Sequence, residues 1–566
     1  MKALNNKNGK MVKRMLILLA VLFVIVFILI KAEDFIKEQT NDKISLVINN
    51  TNVTERLKNE LKIDDGIIYV SMDDMKNFFD KYIYVEDETN EVITTYEDKI
   101  ASIGFESNKL TLNGSTKKTG AHAIKENDTT YLPISEMKDV YDIEINNIAE
   151  TKVITIDSTD REQLKAQTKA DISVKSKKEG FSRTVDKISK GDSVIVVKNN
   201  NEVSEKGWTK IRTQNGKLGY VKTSKLEEIT TIREAKEKTK QINGKVDMFW
   251  DYYSQYVKAP DRTGQVVEGV NVVSPSFFYL EKETGTLKEN VGDAGIAYIN
   301  WAHSNGYKVW AMLSNAEAGI KVSSTILNSY TKRQQLIQSI VEKCAQYDID
   351  GINVDFENMY EADKDKYSRF IIELTPRMEE MGIVTSVDVT APDGDPNWSL
   401  CFDRHVLGDV ADYLIFMGYD QYGTSSSKPG TTAGLNWVET SLKKIIDYDE
   451  VDTDKIILGM PLYTRQWTIT QDGTIKDRST VSMMNIKIPN NVEKQWDDTL
   501  KQYYIEYASG KNTIKMWIED GASIKEKVAL VTKYNLGGAA CWKKDMETSN
   551  IWSIIKTELA NTSTEK

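Results

Sequence analysis

The chain has 566 residues and a formal net charge of −10. That length exceeds one ordinary domain, and the acidic balance lacks the basic face that non-specific nucleic-acid binding needs, so nucleic acid is excluded as a partner. Cys344, Cys401 and Cys541 are too scattered for a disulfide framework, and His122, His303 and His405 have no metal-ligand spacing, so no metal and no other cofactor is expected.

In chain order, the first element is the unbroken apolar run 15–30, MLILLAVLFVIVFILI. As a helix it would span roughly 24 Å, slightly short of a hydrocarbon core unless Lys13, Arg14 and Lys31 snorkel. Lys2, Lys7, Lys10, Lys13 and Arg14 precede it with no acidic residue among them. The positive-inside rule then predicts a cytoplasmic tail over 1–14, a single-pass signal anchor in the cell membrane over 15–31, and an extracellular remainder. The alternative is a cleaved signal peptide, for which ILIKAEDF lacks a small-x-small site.

Residues 44–158 contain a weak repeat: YVSMDDMK at Tyr69 recurs as YLPISEMK at Tyr131. Each copy is followed by an alternating run, so each reads as strand, short helix and hairpin. The segment resembles the small repeated domain at the N-terminus of copper amine oxidases and in bacterial envelope proteins. It implies no copper here, since His122 is its only histidine, and it reads as a spacer or adhesion module. Residues 170–227 hold KGDSVIVV, GWTKIRT and NGKLGYV, three short strands, with Asn215-Gly216 as a hairpin signal. This order resembles bacterial Src-homology-3-like (SH3-like) domains of cell-wall enzymes, which implies cell-wall binding; the alternative is a small barrel that only spaces. The charged stretch 228–243 reads as a linker.

From 244 to 560 the pattern becomes eight apolar or β-branched runs alternating with amphipathic helices: KVDMFW, GVNVVSPSFF, YKVWAML, GINVDFE, VTSVDVTA, YLIFMGYD, IILGMPLY and LGGAACW. This predicts an α/β protein with a (β/α)8 TIM barrel. Pro376 is expected to kink or end the helix after the fourth strand. The span Gln466–Asp520 reads as an inserted α+β subdomain.

The fourth run places Asn353, Asp355 and Glu357 on one strand face and Ile352, Val354 and Phe356 on the other. Alone, such a strand could be half exposed. As the fourth of eight barrel strands it packs its apolar face under the helices, turns its polar face inward, and ends with Glu357 at the C-terminal mouth, where barrel active sites lie. Carboxyl groups at i and i+2, roughly 6.6 Å apart along the backbone, disfavour double ionisation, so one should hold its proton near neutral pH and serve as a general acid. Both come from one side of the cleft. That suits a substrate that supplies its own nucleophile, such as a 2-acetamido carbonyl, better than attack by a second carboxylate.

DGINVDFE is similar to the D-x-x-D-x-D-x-E motif of glycoside hydrolase family 18, the chitinase-like family. MGYD at Met417–Asp420 is similar to its M-x-Y-D motif, and GMPLYTRQW to its G-x-P-x-Y-x-x-x-W segment. The resemblance implies Glu357 as general acid and then base, Asp355 as the group that orients the acetamido N–H and stabilises an oxazolinium ion, and Tyr419 as a donor to the acetamido carbonyl. It further implies that Asp420, Asn353, Met417, Tyr463 and Trp542 bind the sugar, with Trp542 stacking on the ring. Asn353 departs from the motif's acid; it can hydrogen-bond Asp355 but cannot take its proton. The function implied is retaining hydrolysis of β-1,4 bonds next to N-acetylglucosamine in a polysaccharide, peptidoglycan before chitin. A non-catalytic glycan-binding protein on the same fold is the other reading.

Overall fold

The computed structural model describes residues 15, 21–24, 43–236, 241–254 and 256–560. Two compact units result: one includes 43–81, 105–109 and 118–236, the other 82–104, 110–117 and 241–560.

In the first unit the two repeat copies pair with each other. Strands Ile67–Ser71 and Thr129–Pro133 run antiparallel, with Tyr69 opposite Pro133 and Tyr131 opposite Ser71. The Ser71 hydroxyl accepts the Asp74 N–H and caps helix Met72–Phe78. The second copy has Pro133 at the equivalent position, with no capping hydroxyl, and makes only the 3-10 turn Ile134–Glu136. Further along, residues 163–233 form a seven-stranded antiparallel sheet around Leu164, Val174, Val194, Val196, Ile211 and Val221. Its hairpin Trp208–Arg212/Leu218–Lys222 turns at Gly216, where φ is +73°. The expected linker 228–243 is corrected in part: Thr230–Arg233 is a strand paired with Gln163–Gln167, as its β-branched run TTI favours. Residues 237–240 lie outside the described residues.

The expected membrane anchor is also corrected. Among the described residues no helix is long and apolar enough to cross a membrane. Of the apolar run only Met15 and residues 21–24 are described, as helix, and four consecutive residues rise only about 6 Å; the rest of that run, with the predicted tail 1–14, lies outside the described residues.

In the second unit all eight predicted strands are present: β1 Val246–Asp251, β2 Val272–Pro275, β3 Lys308–Ser314, β4 Gly351–Asp355, β5 Val384–Val389, β6 Tyr413–Met417, β7 Ile456–Pro461 and β8 Gly538–Trp542. Each pairs in parallel with the next, and β8 pairs with β1, so the sheet closes. Val246, Met248, Trp250, Trp310, Met312 and Ile457 fill its interior. Ile352, Val354 and Phe356 of the opposite face pack against the surrounding helices. Gly351 matters here, because a Cβ on it would lie 2.3 Å from Trp310 Cδ1; the missing side chain lets that indole fill the barrel below the polar residues of β4.

The helices are α1 Gly292–Ser304, α2 Gly319–Leu327, α3 Tyr330–Tyr347, α4 Lys364–Glu379, α5 Arg404–Val410, α6 Leu435–Asp447, α7 Gly521–Lys533 and α8 Ile551–Ala560. Pro376 lies inside α4, which continues three residues beyond it before ending. The insertion between β7 and β8 is a five-stranded antiparallel sheet within Tyr463–Ile518 with one 3-10 turn, Met483–Asn485; it is β rather than α+β.

The antiparallel strands Tyr84–Glu86, Glu91–Tyr96 and Lys99–Gly104, from inside the repeat segment, belong to this unit. Arg333 of α3 is 1% exposed and pairs with the fully buried Glu373 of α4 at 2.9 Å. The Tyr84 hydroxyl donates to Glu373 at 2.6 Å, and Glu86 accepts from Arg333. Glu88 accepts the Tyr330 and Thr331 N–H groups at the start of α3, where a negative charge complements the helix dipole. This part of the repeat is therefore packed on the barrel helices.

Candidate active site

The predicted residues meet at the C-terminal mouth of the barrel, in a cleft of about 320 Å³ lined by Asp355, Glu357, Met417, Tyr419, Asp420, Tyr463 and Trp542. Strand alternation puts Asn353 and Asp355 inside, and Glu357 follows two residues later, just past the end of β4. Its backbone is held by the residue that follows β3: the Glu357 N–H donates to Asn315 Oδ1 at 2.8 Å, and Asn315 Nδ2 donates to the Glu357 carbonyl at 2.9 Å. Asn315 is 1% exposed, and sequence reasoning missed it because its partner is distant in the chain.

The two carboxyl groups are coupled. Burial drives Glu357 well above the ordinary range, and the Asp355 charge and the hydrogen bond between them raise it further. Burial raises Asp355 to about 6, while the same hydrogen bond pulls it down. At neutral pH Asp355 is the carboxylate and Glu357 carries the proton, the division that general acid catalysis needs. Asp355 Oδ1 is buried without a hydrogen-bond partner, and an N–H from a ligand would satisfy it.

Asn353 does not bond Asp355, contrary to the sequence expectation. Its Nδ2 donates to Asp388 Oδ1 on β5 at 2.7 Å, and its Oδ1 accepts from Trp250 Nε1 at 2.8 Å and Ser274 Oγ at 3.1 Å. Strand alternation turns Asn353 across the barrel, and its valences are filled there by three other strands. Asn353 thus lies beneath the cleft rather than on its wall. Asp388, also missed, was visible as a lone acid at an inward position of VTSVDVTA.

Tyr419 is half-buried, and loss of hydration together with the Asp388 charge raises its hydroxyl well above the ordinary range, which keeps it protonated and able to donate. Gly418 donates its N–H to the Gly459 carbonyl at 3.0 Å, a close approach of β6 and β7 that sets the following residues. Asp420 adopts φ +58° and accepts from Tyr463 Oη at 2.7 Å and Arg465 Nη2 at 2.8 Å. Trp467 Nε1 donates to the Gly430 carbonyl, which pins the loop after β6. Trp542 lies 5.8 Å from Trp250, ring centre to ring centre, and with Trp398 and Trp437 gives the cleft flat apolar walls. Arg465, Trp250, Trp398 and Trp437 were not predicted as site residues, since nothing local marks which of the tryptophans reach the mouth.

A proton-bearing carboxyl group beside an ionised one, among stacking indoles at a barrel mouth, is the equipment of an enzyme that cleaves glycosidic bonds. The chain belongs to glycosyl hydrolases family 18, whose model matches residues 245–547, and is a glycosidase. Residues 42–156 match the copper amine oxidase N-terminal domain. Among curated relatives, the uncharacterised glycosylase YvbX of Bacillus subtilis (strain 168) is 24% identical over 303 residues, covering 51% of this chain and 84% of that protein. The cortical fragment-lytic enzyme of the same organism is 26% identical over 255 residues, covering 44% of this chain and 58% of that protein. Among solved structures, the C-terminal domain of a candidate chitinase from Desulfitobacterium hafniense DCB-2 matches with a TM-score of 0.50 at 21% identity, over 56% of this chain and 99% of that domain. At that identity the likeness concerns the fold.

Proposed function

We propose that this glycosidase hydrolyses β-1,4 bonds next to N-acetylglucosamine in peptidoglycan, with retention of configuration and with the substrate's acetamido group as nucleophile. The observation that carries this reading is the placement of the coupled pair Asp355 and Glu357 together at the C-terminal end of one strand, Asp355 as the last residue of β4 and Glu357 two residues beyond it. A double displacement through the enzyme needs a free carboxylate across the sugar. Asp420, from the loop after β6, is already engaged by Arg465 and Tyr463.

In this scheme Glu357 gives its proton to the glycosidic oxygen as the bond to the anomeric carbon breaks. The acetamido carbonyl oxygen closes on that carbon, forming an oxazolinium ion. Asp355 accepts the acetamido N–H and offsets the positive charge, and the Tyr419 hydroxyl donates to the carbonyl oxygen. Glu357, now a carboxylate, takes a proton from water as the water opens the ring. Trp542 supports the sugar by stacking.

Peptidoglycan is favoured over chitin by the relative described as cortical fragment-lytic and by the small antiparallel domain within residues 163–233, which we read as an SH3-like module that holds the cell-wall polymer. The test incubates the whole protein with purified peptidoglycan and, separately, with chitin oligomers, and reads new reducing ends by mass spectrometry. N-acetylglucosamine reducing ends from peptidoglycan are expected, and their loss in Glu357→Gln. Cleavage of chitin oligomers alone would move the substrate to chitin. A Glu357→Gln variant as fast as the wild type would remove Glu357 from the mechanism.

A further inference from the structure

The segments that leave β1 and β8 meet beside the cleft, and they hold a positive charge that the scheme above leaves unused. Trp542, the last residue of β8, lines the cleft. The ring of Tyr252, the residue after β1, lies 6.2 Å from the Trp542 ring, centre to centre. The Lys543 ammonium sits 5.2 Å from the centre of that Tyr252 ring, where the negative face of the aromatic system attracts a cation. Lys543 is half-buried, yet among the described residues no carboxylate pairs with it. Its neighbour Lys544, by contrast, is spent on Asp545 and Glu547. The backbone on either side of the Tyr252–Lys543 contact is fixed by one guanidinium. Arg262, 4% exposed, donates to Asp251 at the end of β1 and to Asp545 after β8, both at 2.8 Å. The free ammonium therefore sits on a clamped rim, one ring away from the indole that is to carry the sugar.

We propose that Lys543 is a specificity-determining residue, which binds a carboxylate carried by the sugar adjoining the one on Trp542. This rests on the reading of peptidoglycan as the substrate, with N-acetylglucosamine on Trp542. Peptidoglycan strands alternate N-acetylglucosamine with a sugar that bears a lactyl group, to which the stem peptide is joined. With N-acetylglucosamine stacked on Trp542, alternation places a lactyl-bearing sugar in the next position on either side. Chitin repeats N-acetylglucosamine alone and brings no carboxylate to the rim. The rest of the cleft repels an anion: Asp355, Asp393 and Asp420 line it, and the Arg465 guanidinium is already engaged by Asp420. An unpaired ammonium beside Trp542 supplies the complement that an acidic strand needs, and partial burial makes it act more strongly than a fully solvated lysine would. The contact is remote from the bond that breaks, so it serves binding rather than the chemical step.

The test measures KM and kcat of the whole protein on solubilised peptidoglycan strands, intact and stripped of stem peptides, each with its carboxyl groups free and converted to amides. Lys543→Gln is expected to raise KM roughly tenfold on free-carboxyl strands, the scale of one charge-assisted hydrogen bond, with kcat little changed. On amidated strands the variant and the wild type should match, and Lys543→Arg should keep the wild-type KM throughout. An effect on intact strands alone assigns the carboxylate to the stem peptide, and one on stripped strands alone assigns it to the lactyl group. A KM raised equally on free and amidated strands is the mark of a structural role and overturns the proposal. Should Lys543→Gln fail to fold, the wild type serves by itself: equal KM for free and amidated strands overturns the proposal. Failure of the wild type to cleave any of these strands refutes the substrate reading and this proposal with it, whereas cleavage with an unmoved KM in Lys543→Gln refutes only the role of Lys543.

Discussion

Replacing Asp355 with asparagine removes a carboxyl group that the fold holds against its own solvation. Asp355 is 9% exposed, and its ordinary value of 3.8 is raised to about 6 by burial. A difference of about two units, at about 1.4 kcal/mol each, amounts to roughly 3 kcal/mol. The sign follows from proton binding. Between about 4 and 6 the folded protein binds the proton more tightly than the unfolded chain. The contribution of Asp355 to stability is therefore greatest below this window, falls as pH rises through it, and is level above. Asp355→Asn has no such proton, so its stability relative to the wild type should rise by roughly 3 kcal/mol between pH 4 and pH 7.5. Denaturant unfolding followed by tryptophan fluorescence reads this, because every tryptophan except Trp208 lies between residues 250 and 552, in the barrel and its insertion. The same group sets the acid limb of activity, which in the wild type should rise near pH 6. A stability difference that stays constant over this range, or that shrinks as pH rises, would refute the claim that burial holds Asp355 near 6.

Two further substitutions test the supports of the site. Glu373→Ala leaves the guanidinium of Arg333, 1% exposed, without its main partner; a loss of about 3–5 kcal/mol is expected in barrel unfolding. Arg465→Ala removes one of the two groups that hold Asp420, and KM should rise roughly tenfold with a smaller change in kcat, as expected for one charge-assisted hydrogen bond that positions a sugar contact.

What could be read from the chain alone was whatever repeats over a short distance. The alternation of DGINVDFE is a property of the strand backbone, so it told which side chains of β4 face inward and that Glu357 ends at the mouth. Eight such runs separated by helices were enough for the closed barrel. The helical content expected of the insertion and the strand at Thr230–Arg233 were misjudged where a local signal competes with sheet pairing.

The partners of the inward side chains depend on closure, which brings together residues that no local period relates. Asn353 and Asp388 are 35 positions apart, and only the neighbouring of β4 and β5 makes the amide a donor to that acid. Asn315 reaches Glu357 across 42 positions for the same reason. The sequence determined the catalytic strand and its face, because a strand's period is two whatever surrounds it. The tertiary structure alone decided which carboxyl group keeps its proton, because that depends on burial and on charges brought close from other strands.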